Sequence, residues 1–327
     1  MRPLLELVFA PLAWIGRQRS RAVAALVLLG LATPFLGEHM KPLVLPAIVV
    51  MLVIAFARLD VGACKAALAS PAVVVATTAW TVAGVPLVYL AADRAFDLAT
   101  TAPDLRVGLA LQAATSPMMS APAFAALLGL DATLVLVTLV TASLLVPLTA
   151  ALWVGVIGLD LVLSPAALAV KLVSILAGAA VIAGMLRGVM GAERISRGRD
   201  VIDGINIIAL YVFIAAILSP VTPLMLSEPA RLLALTGLAF AVFLGLLAAT
   251  MLVFRVAGRE TAFLAGLTAA QRNMGLMLAA TAGQIPETAW LYFAVAQFPV
   301  YLAPLVLTPL ARAWAGGRGS EAGPGRR

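Results

Sequence analysis

The chain has 327 residues, 63% of them hydrophobic and only 11% charged, with a mean hydropathy of +1.08. Those proportions exclude an ordinary soluble domain or soluble enzyme, and leave room for about ten apolar crossings of roughly 20 residues with little else. The formal charge of +7 is carried by short basic clusters between apolar stretches, which reads as topology signals, not as a nucleic-acid surface.

Taken in chain order, residues 1–21 hold Pro3, Pro11 and four arginines and read as a cytoplasmic segment; the apolar run that follows has no convincing small-residue cleavage site and reads as a retained first helix, with a cleaved signal as the alternative. Apolar runs then predict spans at 22–37, 42–57, 71–92, 105–128, 132–157, 164–187, 201–220, 231–254, 260–282 and 288–311. The Gly- and Arg-rich tail, 312–327 with Gly316 as its first glycine, reads as disordered and cytoplasmic. With the N-terminus inside, only Lys41, Arg94, Arg106, Lys171 and Arg231 fall outside, while the other basic loop residues are cytoplasmic. This is the orientation of a multi-pass protein of a bacterial inner membrane with both termini inside. Abundant Gly and Pro predict closely packed and interrupted helices, and the absence of short alternating segments excludes a β-barrel. Cys64 and His39 are the only residues of their kinds, so neither a disulfide within the chain nor a metal site is expected, and no cofactor.

Ten spans divide into 22–158 and 159–311, two sets of five. Because five is odd, a duplicated half would enter the membrane inverted. Thr115-Ser116-Pro117 and Pro122 interrupt the fourth span, and Gln271-Arg272-Asn273-Met274-Gly275 interrupts the ninth. Breaks in corresponding places free backbone groups that lipid cannot satisfy, so they must line a cavity, an ion site or protein. The expected fold is all-α, with the broken fourth and ninth helices crossing near the midplane.

Arg272 falls about halfway along the ninth span, where a charge is costly unless it faces inward. Two roles stand open for it. Its planar fork suits a carboxylate, sulfate or phosphate. Alternatively it neutralises carbonyls released by the fourth-span break, or pairs with Asp203, the carboxylate nearest to being embedded. Gln271 and Asn273 flank it, and Gln112, Thr115, Ser116 and Ser120 surround the other break as substrate contacts. Asn206 and Gln297 are amides in apolar surroundings, with packing as their ordinary role and substrate contact as the alternative. Thr268, Thr138 and Thr141 are candidate ion ligands, and Pro117, Pro122 and Gly275 candidate structural breaks. Neither a GxxxxGK[ST] loop nor an HExxH pair is present, so transport would draw on a gradient and not on ATP, and an intramembrane enzyme lacks its catalytic groups.

The segment at 46–60, "PAIVVMLVIAFARLD", resembles the second span of the bile acid:sodium symporter family and its arsenite-efflux and auxin-carrier-like relatives. "SPMMSAPA" at 116–123 is similar to that family's fourth-span "CPGGxxSN" crossover, and "TAAQRNMGLMLA" at 268–279 to its ninth-span "ExGxQNxxLA". The resemblance covers roughly 20–310 and implies ten spans in two inverted halves, carriage of organic anions, and sodium held by a Ser-Asn pair together with a Glu and a Gln. In this chain those ligands fall on Pro122-Ala123, Thr268 and Arg272, while the family's Asn matches Asn273. A guanidinium repels sodium, so Arg272 disfavours sodium coupling and stands in for the ion, leaving uniport, exchange or, least of all, proton coupling. The sequence thus points to a secondary transporter of a small organic anion by alternating access. The alternatives are a sodium-coupled symporter of the family type and a non-transporting membrane receptor or assembly protein. The expected partners are the anion and membrane lipids, without nucleic acid, in a monomer or weak homodimer.

Overall fold

The computed structural model describes residues 10–15, 20–58, 62, 71–159 and 161–315. Most of the expected N-terminal segment, together with Cys64, Lys65 and the tail from Gly316, lies outside the described residues. The chain is a multi-pass membrane protein built from helices, and among the described residues there are no strands. Twelve helices or half-helices carry the argument. They are α1 (Ser20–Ala32), α2 (Pro34–Ala57), α3 (Pro71–Ala95), α4a (Pro103–Ala114), α4b (Ala121–Leu127) and α5 (Thr133–Ile157). There follow α6 (Pro165–Met190), α7 (Arg199–Leu218), α8 (Pro229–Val253), α9a (Arg259–Ala270), α9b (Met274–Ala280) and α10 (Glu287–Ala315).

Seven of these helices are long and apolar enough to cross a membrane: α2, α3, α5, α6, α7 with its continuation to Ser227, α8, and α10. The other three expected spans correspond to α1, which has 13 residues, and to the two helices that come in halves. Where the first span ends needs correction. α1 ends at Ala32 and not at 37: Thr33 leaves the helical region (φ −125°, ψ 56°) and Pro34 opens α2, eight residues before the expected start at 42. A proline lacks the N–H that would continue α1 and pushes its predecessor out of the α region, whereas at the first position of a new helix it costs nothing. Pro42, the expected start of the second span, is instead absorbed in a tight turn at Lys41–Leu43 inside α2. At the other end α10 continues to Ala315, past the expected 311.

The helices gather into two groups. In one, α7 is flanked by α1 and α2. Gly30 of α1 lies against Ile214 and Leu218, and Gly37 of α2 against Ala215, where an added Cβ would sit 2.1 Å from the Ala215 carbonyl oxygen. At the far end of α2, Arg58 donates to Asp203 at 2.5 Å. Thus α2 runs opposite to α7. In the second group α3 and α5 lie side by side, with Thr77 bonded to Thr138 and Thr78 to Thr141. Gly108 of α4a approaches Ala289 of α10, where an added Cβ would stand 3.1 Å from the backbone. The outer helices α6 and α8 show large apolar side chains to the surroundings, among them Val173, Val181, Met185, Leu233 and Leu252. The halves of the ninth helix sit at the centre: every residue of α9b and every residue from Ala262 to Ala270 is buried.

Candidate functional site

The two breaks meet. After Ala114 the chain becomes extended (Thr115 φ −85°, ψ 171°), as the residue pair before Pro117 favours, and α4b restarts with Pro122 in its first turn. The second break has no proline. Gln271 (φ −88°, ψ 89°) leaves α9a, and Asn273 caps α9b by accepting from the Leu276 amide at 3.1 Å. Pro117 and Arg272 then face each other as an isolated antiparallel pair. Met118 N–H donates to the Gln271 carbonyl at 2.8 Å and Asn273 N–H to the Ser116 carbonyl at 2.9 Å. Pro117 occupies the member of the bridge that exchanges no hydrogen bond with its opposite, so its missing N–H is not needed. The Thr115 hydroxyl closes the crossing by donating to the Asn273 carbonyl at 3.0 Å.

Arg272 is 1% exposed and makes no ion pair with a described residue; Asp203 is taken by Arg58, which closes that one of the alternatives. Its fork serves carbonyls instead. Nε donates to Gln112 O at 3.1 Å, and Nη2 donates to Ala113 O at 2.5 Å and Thr81 O at 3.2 Å. Prolines make two of those acceptors available, while Gln112 O also accepts from the Thr115 N–H at 3.4 Å. The Ala113 carbonyl would take its helical donor from residue 117, which is Pro. In α3 the turn Trp80–Gly84 is a π-turn in which Val85 N–H reaches back to Trp80 O, so Thr81 O would next be served by residue 86, again Pro. The neighbouring Val82 O accepts from Trp153 Nε1 at 2.8 Å. A cation at the C-terminal end of α4a also matches the negative end of its helix dipole.

What Arg272 leaves unused is Nη1. That nitrogen, the Ser116 and Ser120 hydroxyls, and both Oε1 and Nε2 of Gln271 are buried side-chain atoms without a protein partner. Ser116 and Gln271 are 0% exposed, and all five atoms belong to the two breaks. Buried polar groups are ordinarily hydrogen-bonded, so these five atoms are the part of the crossing that the described residues leave unsatisfied.

The other expected site residues divide. Gln112 joins the crossing as a support: its carbonyl holds Arg272 and its side-chain oxygen accepts from the Tyr292 hydroxyl. Asn273 and Thr115 hold the crossing's backbone. Thr268 spends its hydroxyl on Leu264 O and Gln297 its amide on Phe293 O, each within its own helix. Thr138 and Thr141 are spent on the α3 threonines. Asn206 is half-buried on α7, one turn from Asp203, and makes no hydrogen bond to either break. Gly275 is not a break; it lies inside α9b, where an added Cβ would press on the Phe213 ring at 3.3 Å. Sequence reasoning missed Thr81, Tyr292 and the π-turn. Pro86, lying within an apolar span, was the available signal for the last. A separate cavity of about 550 Å³ is lined by Glu38, Ser219, Glu228 and Glu287 and contains none of the expected site residues.

No protein-family model matches the chain, and no curated protein matches it.

Proposed function

We propose that this protein is a secondary transporter of a small organic anion, related in type to the bile acid:sodium symporters, working by alternating access and without sodium. On this reading the helices make ten crossings of a bacterial inner membrane in two inverted halves, with both termini in the cytoplasm and the crossing near the midplane. The protein acts as carrier and not as enzyme, needs no cofactor, and works as a monomer or weak homodimer.

One observation carries the reading: a guanidinium without an acidic partner among the described residues is buried beside polar atoms that those residues leave unpartnered, where two interrupted helices cross. The paired-fork contact expected from sequence is reduced, because Nε and Nη2 are already committed to carbonyls. The anion is met by Nη1 alone, with the Gln271 amide and the Ser116 and Ser120 hydroxyls orienting it. Three carbonyl oxygens around one guanidinium are also the donor set that a monovalent cation would use, which supports Arg272 as a fixed replacement for a coupling ion.

Uptake of radiolabelled organic acids by the purified protein in proteoliposomes, with and without a sodium gradient, tests the proposal. Uptake without sodium is expected. A strict sodium requirement would overturn the fixed-cation role, and binding without flux would favour the receptor alternative.

A further inference from the structure

A groove of about 650 Å³ runs between α3 and the end of α8, away from the crossing. Its walls are apolar, formed by Ala72, Ala76, Trp80 and Leu87 on one side and by Phe254 and Val256 on the other. From Ala72 to Leu87 it follows fifteen helical steps, about 22 Å at 1.5 Å each, enough for the roughly 15 Å hydrocarbon depth of one leaflet. Just past the last residue of the α8 span, Arg255 lies between the lining residues Phe254 and Val256, and Arg259 follows two residues after the lining residue Ala257. Both are exposed and neither forms an ion pair with a described residue. An apolar groove long enough for one leaflet, with two exposed cations at the end of the α8 span beside it, has the charge and shape of one occupant.

We infer that this groove binds an anionic phospholipid, one acyl chain along α3 and the phosphate on Arg255 and Arg259. The floor of the groove gives the site a consequence. Trp80 donates to the Thr250 hydroxyl at 2.8 Å, lies edge-on to Phe254 with ring centroids 6.5 Å apart, and covers Gly84, where a Cβ would come within 2.3 Å of the indole. Trp80 and Gly84 bound the π-turn whose Thr81 carbonyl holds Arg272, so the bound chain braces the support of the crossing from the lipid side.

Native mass spectrometry of the full chain in detergent, with phosphatidylglycerol or phosphatidylcholine of the same acyl chains added, tests this. Two interfacial arginines correspond to a preference for the anionic lipid on the order of tenfold to thirtyfold. The double variant Arg255→Gln/Arg259→Gln is expected to lower phosphatidylglycerol retention to the phosphatidylcholine level. Ala76→Phe, which fills the groove, should lower retention of both lipids, and Ala72→Leu serves the same purpose should Ala76→Phe fail to fold. Glycerophosphate, a headgroup without chains, should not compete. Equal retention of the two lipids by the unaltered protein, an unchanged preference in the double variant, competition by glycerophosphate, or a dimer dissolved by Ala76→Phe would each overturn the inference, the last in favour of a second copy of the chain.

Discussion

Arg272→Lys separates the geometry of the guanidinium from its charge. Lysine keeps the positive charge at the same depth, so the cost of embedding it largely cancels between the two proteins. What changes is the fork. Arg272 reaches Gln112 O through Nε and both Ala113 O and Thr81 O through Nη2, two nitrogens serving three acceptors on two helices. A single ammonium on a flexible stem holds one of these in line and releases two. Hydrogen bonds between helices in membranes average about 0.6 kcal/mol and reach about 1.7, so two lost bonds cost about 1–3 kcal/mol. That lowers the unfolding midpoint by on the order of 2–8 °C. Thermal unfolding of the detergent-solubilised protein, followed by tryptophan fluorescence, measures it, with Trp80 and Trp153 beside the affected carbonyls. Pro86→Ala supplies the check. Its new N–H can reach the Thr81 carbonyl, so combined with Arg272→Lys it should restore about one bond's worth of stability, but none where Arg272 already holds that oxygen. A wild-type midpoint for Arg272→Lys, or strictly additive effects of the two substitutions, would refute the claim that Arg272 exists to satisfy proline-stripped carbonyls.

Gln271→Leu removes two buried polar atoms that have no protein partner, so stability should hold or rise by about 1 kcal/mol while anion uptake falls at least about tenfold; a loss of stability matching the loss of uptake would mean the amide is bonded within the fold. Asp93→Asn should cost about 3 kcal/mol in the same unfolding assay, because Asp93 is 3% exposed and takes the Arg106 guanidinium at 2.8 Å. Uptake per folded molecule should survive that change, since neither residue belongs to the crossing.

The parts of this fold legible in the sequence are those governed by short-range chemistry. Pro117 and Pro122 announce a helix that cannot be continuous, and Asn273 before Met274-Gly275-Leu276 is a capping residue at the head of an apolar turn. The parts that are not legible depend on partners far along the chain. In the sequence Arg272 suits a substrate, Asp203 or free carbonyls equally, and the decision lies 191 residues away, at the Thr81 carbonyl. Thr268, Thr138 and Thr141 read as oxygen donors to an ion, yet a hydroxyl in an apolar helix is drawn to its own backbone or to a neighbouring threonine. Pro34 misplaces a boundary for a related reason: a run of apolar residues continues through it, and only the backbone geometry at Thr33 shows that the chain has turned.

A fixed cation also shapes how a carrier of the proposed kind would work. Because Arg272 is tied by its carbonyls to both α3 and α4a, and by the bridge at Pro117 to the start of the other break, the positive charge travels with the crossing and never leaves it. Loaded with a monoanion, the site is neutral. Empty, it carries one positive charge, and any reorientation through the full membrane field then involves about 2.3 kcal/mol per 100 mV. An inside-negative potential therefore holds the empty site facing inward and opposes its return, while leaving the loaded step untouched. In a sodium-coupled carrier the ion is shed with the substrate and its charge does not burden the return, whereas here the return is eased only by a second anion. A carrier of the proposed kind, with a fixed guanidinium in place of a coupling ion, would thus favour exchange of one anion for another over net uptake of either.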